Sequence, residues 1–122
     1  MTCAEELVSR YVAVWNEPDP GKRRQAIAAL WTEDGVHFTP SLEARGYEAI
    51  EARITAAHER FVRTEGYVFS AAHAGLGHHA TVTFSWEMRP AAGGAVAARG
   101  LHFFTLGPDG RIRSDHQFPA AA

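Results

Sequence analysis

At 122 residues the chain has the length of one domain, able to bury about two thirds of its unfolded surface. Hydrophobic residues at 46% and charged residues at 21% are ordinary globular values and set aside disordered and fibrous classes. A formal charge of −2 with both signs scattered along the chain gives no basic footprint for nucleic acid and no polybasic stretch for a membrane, so the expected partner is small and at most mildly charged.

The single cysteine, Cys3, cannot close an internal disulfide and is expected to be an incidental thiol near a fraying end. No apolar run approaches the ~20 residues of a membrane span, and the start Met1-Thr2-Cys3-Ala4-Glu5-Glu6 is acidic where a secretion signal is basic. A cytoplasmic, single-domain chain is expected, with a core over about 5–118 and a disordered tail at 119–122.

Residues 4–15 place Leu7, Val8, Tyr11, Val12 and Trp15 on one stripe, the spacing of an amphipathic helix. Asp19-Pro20 offers an N-cap followed by proline at the first helical position. The helix it opens has an apolar face of Ala26, Ile27, Leu30 and Trp31 and is expected to stop near Gly35. Residues 36–39 alternate before Pro40 as a short strand, with an irregular loop from 41 to 45. Gly46 then opens a third helix carrying Ile50, Ile54, Ala57, Phe61 and Val62.

After Gly66 the period changes from 3.6 to two. Residues 67–73 form a strand and 74–77 a turn, and residues 80–89 alternate cleanly, with Val82, Phe84, Trp86 and Met88 on one face. Pro90 and a loop through Gly94 lead into a final hairpin, whose arms at 98–106 and 111–118 are joined by Gly107-Pro108-Asp109-Gly110. Helices followed by a meander give an α+β class with helices on one side of an antiparallel sheet.

That hairpin carries the most informative pair. If all four turn residues form the loop, His102 stands opposite Asp115, and opposed Cβ atoms in an antiparallel pair are about 4.5–5.5 Å apart. A three-residue loop with a glycine bulge would instead set His102 opposite His116 and send Asp115 to the other face. A histidine paired with a carboxylate is a tuned base. The other histidines carry less. His73, His78 and His79 flank a turn, but neighbouring strand residues point to opposite faces and zinc needs three or four converging ligands, so no metal is expected. His58 reads as a helix-face residue, and Trp15, Trp31 and Phe61 read as packing between helices.

Arg10-Tyr11-Val12-Ala13 with Trp15-Asn16, then residues 29–36 (ALWTEDGV) and Arg45-Gly46, in this element order, resemble the nuclear transport factor 2-like superfamily. Within it the SnoaL-like polyketide cyclases and ketosteroid isomerases are most similar. The resemblance spans about 5–118 and implies a cone-shaped fold: a curved sheet wrapped on helices around an apolar pocket, with dimerisation through the sheet. Tyr11 matches the tyrosine of the isomerase oxyanion hole, itself a worked case of acid and base tuning, and His102 takes the place of its second donor. Thr39 stands where the isomerases carry their base, a role threonine cannot fill unaided. Of the last-strand residues, Gln117 rather than Asp115 matches the acid of the cyclases.

The implied pocket carries Tyr11, His37, Thr39, His102, Asp115 and Gln117 among Val82, Phe84, Trp86, Met88 and Phe104. Such a pocket suits a small hydrophobic molecule. In the catalytic reading Asp115 orients His102 as a base that takes a proton from carbon or from water and Tyr11, helped by Gln117, holds an oxyanion, as in a cyclase, isomerase or hydrolase-like enzyme without any cofactor. The rival is a carrier domain that uses the same pocket and only hydrogen-bonds its ligand.

Overall fold

The computed structural model of the protein describes residues 3–120. Helix α1 (Ala4–Asn16) buries Leu7, Val8, Tyr11, Val14 and Trp15, close to the expected stripe. Helix α2 (Pro20–Leu30) starts at the cap the Asp-Pro pair predicts: the Asp19 carboxylate accepts from the N–H of Gly21 at 2.8 Å and of Lys22 at 3.1 Å, satisfying donors that have no partner inside the helix.

α2 ends at Leu30, not near Gly35. Trp31 turns extended and opens strand β1 (Trp31–Thr39), which drives its indole into the core against Tyr11 at 5.4 Å between centroids. Gly35 is needed for close approach within a bulged strand: a Cβ there would lie 2.9 Å from the Trp31 ring and 3.1 Å from the Ile112 carbonyl. The segment expected as an irregular loop is strand β2 (Leu42–Arg45), folded back on β1 with Thr39 opposite Leu42. Pro40 and Ser41 make the turn, the Thr39 hydroxyl accepts from the Ser41 N–H, and Ala44 fills the inner face.

Helix α3 (Tyr47–Ala57) runs on into a π-helical segment, His58–Thr64, so the third helix reaches past Val62 as its apolar spacing requires. The buried Arg23 ties α2 to its surroundings, donating to the Glu17 carbonyl and the Thr55 hydroxyl of α3.

Strands β3 (Tyr67–Ala71), β4 (Leu76–His78), β5 (Thr81–Pro90), β6 (Ala98–Leu106) and β7 (Ile112–Pro119) complete a sheet of order β2-β1-β7-β6-β5-β3, with β4 also on β5. β3 is shorter than expected, and β4 lies where a turn was expected. The reason is length: β5 has ten residues, so β3 pairs its second half and β4 its first. β1 pairs β7 in parallel and the remaining pairs are antiparallel, so three helices pack on a curved, mixed sheet. The tail expected to be disordered begins in order. Pro119 ends β7 and the Ala120 N–H donates to the Arg99 carbonyl; 121–122 lie outside the described residues. Among the described residues no helix is long and apolar enough to cross a membrane.

Candidate active site

Neither expected register of the last hairpin occurs. Thr105 faces Ser114 but Leu106 faces Ile112, so Arg113 is an extra residue in β7. The loop of five residues, 107–111, slides the pairing by one relative to a four-residue loop and the bulge slides it by one more, setting His102 opposite Gln117 and Phe104 opposite Asp115. A slip of two preserves faces. His102 and Asp115 therefore still share the inner face as diagonal neighbours, and the His102 Nδ1 lies 2.7 Å from the Asp115 Oδ1.

Asp115 is fully buried and is the hub of the site. Its Oδ2 accepts from the Tyr11 hydroxyl at 2.5 Å and from the Nδ1 of His37 at 2.7 Å. His37 arrives on β1, directly opposite Asp115 in the parallel pairing. Burial alone would push the Asp115 carboxyl up; the His102 and His37 imidazoles, by charge and hydrogen bond, outweigh it and hold the group well below the usual carboxylate range. Tyr11 responds oppositely. Burial first, then the neighbouring Asp115 charge, raises its phenol well above 10.0, so the hydroxyl is a fixed donor to the carboxylate.

The two imidazoles differ on their other side. A carboxylate only accepts, so each ring presents Nδ1–H to Asp115. The Nε2 of His37 is then sealed in the core without a partner, whereas His102 lines a cavity of about 300 Å³ and its Nε2 is not so sealed. The cavity wall from the sheet is Phe69, Phe84, Trp86, Met88, Ala98 and Gln117; from the helices come Trp15, Arg53, Ala57, Arg60 and Phe61. Phe84 stacks on the His102 ring at 5.2 Å and 11°, fixing its plane. Gly100 makes room for Trp86, since a Cβ there would sit 2.6 Å from the indole nitrogen. Asn16 on α1 exchanges two hydrogen bonds with the Phe69 backbone and so pins the β3 side of the cavity to the helix.

Of the residues expected at the pocket, Tyr11, Phe84, Trp86, Met88, His102 and Gln117 line the cavity, and Asp115 lies beneath it. Tyr11 contributes its ring only. Its hydroxyl is committed to Asp115, which corrects the expectation that it points into the pocket as an oxyanion donor. His37 is corrected from ligand contact to buried partner of Asp115. Val82 and Phe104 pack in the core beyond the cavity, because strand curvature closes the sheet on α1 there. Thr39 lies at the β1–β2 turn, where its hydroxyl is engaged by Ser41, and does not line the cavity. Trp15 and Phe61, expected only as packing, are cavity wall as well. His58 is buried with both ring nitrogens unpartnered, and burial lowers its pKa. His78 and His79 meet at 3.0 Å because β4 ends at His78 and His79 takes a positive φ of 50°.

Arg53 was not anticipated. It sits three residues after Ile50 and four before Ala57, on the buried stripe of α3, and a charged residue within an apolar stripe was the available signal. Its guanidinium lies 5.5 Å over the Trp15 ring. Burial lowers its pKa, and the Asp115 carboxylate opposes that shift.

A model described as the SnoaL-like domain matches residues 8–114. Among solved structures, a candidate isomerase of the SnoaL-like family from Agrobacterium tumefaciens is 30% identical over 99% of this chain and 100% of its own, with a TM-score of 0.88. A protein of unknown function with a cystatin-like fold from Methylobium petroleophilum is 21% identical over 98% of this chain and 76% of its own, at 0.73. A candidate polyketide cyclase from Sinorhizobium meliloti is 17% identical over 92% and 93%, at 0.70. No curated protein is detectably similar in sequence. The chain belongs to the SnoaL-like domain family.

Proposed function

We propose that this SnoaL-like protein is a cofactor-independent isomerase or cyclase that enolises a small, largely apolar carbonyl compound, with His102 as the base. One observation carries the reading: the buried Asp115 takes Nδ1–H of His102 at 2.7 Å, which fixes the tautomer and leaves Nε2 as the ring nitrogen available to a molecule in the cavity. In the proposed step Nε2 removes a proton from the carbon next to the carbonyl, and the electron pair moves onto the carbonyl oxygen. Gln117, opposite His102 across the strands, offers its amide N–H to that oxygen. With an unsaturated substrate the His102 imidazolium, paired with Asp115, then returns the proton at the far carbon of the dienolate; with a second carbonyl in reach the enolate carbon attacks it, the ring closes, and the alkoxide so formed takes the proton from the imidazolium. The wall of Phe69, Phe84, Trp86 and Met88 keeps water away and strengthens each of these polar contacts.

The test is exchange of the α protons of 2-tetralone, an apolar and readily enolised ketone, followed by proton NMR in D₂O. The protein should accelerate exchange, and His102→Ala should remove about 10²–10⁴-fold of it. Equal exchange with the variant would refute the base. A carrier reading is favoured by one feature, the commitment of the Tyr11 hydroxyl to Asp115; saturable 2-tetralone binding without exchange would select it. A second copy of the chain is also proposed to cover the outer face of β6 and β7, where Leu101, Phe103 and Phe118 are exposed. Sedimentation of Phe103→Glu as a monomer beside a dimeric parent would support this, and a monomeric parent would refute it.

A further inference from the structure

We infer that the ligand of this cavity is an amphiphilic anion, an apolar body carrying a carboxylate or similar oxyanion that Arg53 receives. The inference rests on the proposal above that the cavity holds a small, largely apolar molecule, and it replaces the nearly uncharged ligand expected from composition with a charged class.

The cavity wall contains two arginines, Arg53 and Arg60, and no aspartate or glutamate. Neither guanidinium makes an ion pair or a side-chain hydrogen bond among the described residues; the other unpaired arginines, Arg10, Arg99 and Arg113, are exposed, as is Arg60, whereas Arg53 is half-buried. The Nε of Arg53 is buried without a partner. Buried polar groups are nearly always satisfied, and a cation more so than a neutral group. The guanidinium carbon stands 5.5 Å over the Trp15 ring, and the two terminal nitrogens, unlike Nε, are not sealed. That terminal pair is a planar fork which matches a carboxylate with two parallel hydrogen bonds.

Asp115 does not fill this need. Its two oxygens already take Tyr11, His37 and His102, and no hydrogen bond joins it to Arg53. Arg60 has its guanidinium 4.8 Å over the Phe61 ring, on the π-helical segment. A second cation on an apolar wall raises the local potential for an incoming anion. The division of labour follows: Arg53 holds the charged end, the aromatic wall takes the body, and His102 meets the carbon between them.

Isothermal titration calorimetry with 2-naphthoate and 4-phenylbutanoate, each against its primary amide, tests this. The anions should bind at least about tenfold tighter than their amides, about 1.4 kcal/mol, and Arg53→Gln should bring that ratio near one while the amide still binds. Amide binding also reports that the variant is folded. Arg60→Gln should lower the ratio by less. Equal binding of anion and amide by the parent, or an anion preference that survives Arg53→Gln, would overturn the inference and leave the cavity as a site for neutral molecules. If neither anion nor amide binds, the reading of the cavity as a ligand site fails, and the inference with it.

Discussion

Two histidines hold one carboxylate, and they live in different worlds. His37 and His102 each place Nδ1 at 2.7 Å from an oxygen of Asp115. Beyond that bond His37 meets Trp15 and closed core, while His102 meets a cavity. The same side chain with the same partner is a structural tie on one side and a candidate base on the other. Chemistry follows access, not residue type.

The largest effect comes from removing what the two share. Asp115→Asn replaces a saturated buried acceptor with an amide that presents N–H to an imidazole N–H, and breaking such a cluster costs about 3–5 kcal/mol at neutral pH. The Asp115 carboxyl is held below its usual range in the fold, so its contribution is fully present above the unfolded value of about 4. It is lost as pH falls from there toward the folded value. Urea unfolding should therefore show the gap between parent and variant narrowing below about pH 4. A constant gap from pH 7 to pH 3 would mean that Asp115 gains nothing from its partners.

The comparison sharpens when each histidine is removed alone. His37→Ala leaves a sealed void and loses a charged hydrogen bond, a loss of about 2–4 kcal/mol. His102→Ala opens onto the cavity, where water can reach the Asp115 Oδ1, so its cost should be smaller, about 1–2 kcal/mol. Tetralone exchange should rank the two the other way, with His102→Ala the more damaged. Two variants equal in both measurements would erase the distinction between tie and base.

The sequence made half of this contrast legible. Period-two alternation puts residues 102 and 115 on one face in any register that differs by two, so the longer loop and the bulge at Arg113 together move the partner without breaking the contact. The sequence puts His37 near the site but not on Asp115, because β1 and β7 pair across most of the chain and such pairing leaves no local mark. The end of α2 is not legible locally, because Ala-rich residues up to Leu30 and the turn-like Thr32-Glu33-Asp34-Gly35 fit a helix terminus as well as a bulged strand; tertiary burial of Trp31 decides it. Arg53 was legible in principle, as a charge on the stripe of Ile50, Ile54 and Ala57. The cavity beside it is not, since its walls come from α1, α3 with its π-helical extension, β3, β5, β6 and β7.

Tyr11 makes the finest test, because sequence and structure give it opposite jobs. As an oxyanion donor, its hydroxyl would matter to rate, and its loss would slow exchange by about 10²–10³-fold. As a donor to Asp115 at 2.5 Å, it matters to the fold and to the poise of His102. Tyr11→Phe keeps the ring, which packs on Phe84, Phe104 and Trp31, and deletes one hydrogen bond to a charged acceptor. The expected loss is about 1.5–3 kcal/mol of stability, with exchange reduced less than tenfold. A variant that is as stable as the parent but catalytically silent would reverse the assignment, since only a hydroxyl turned toward the cavity could act on the rate while leaving Asp115 content.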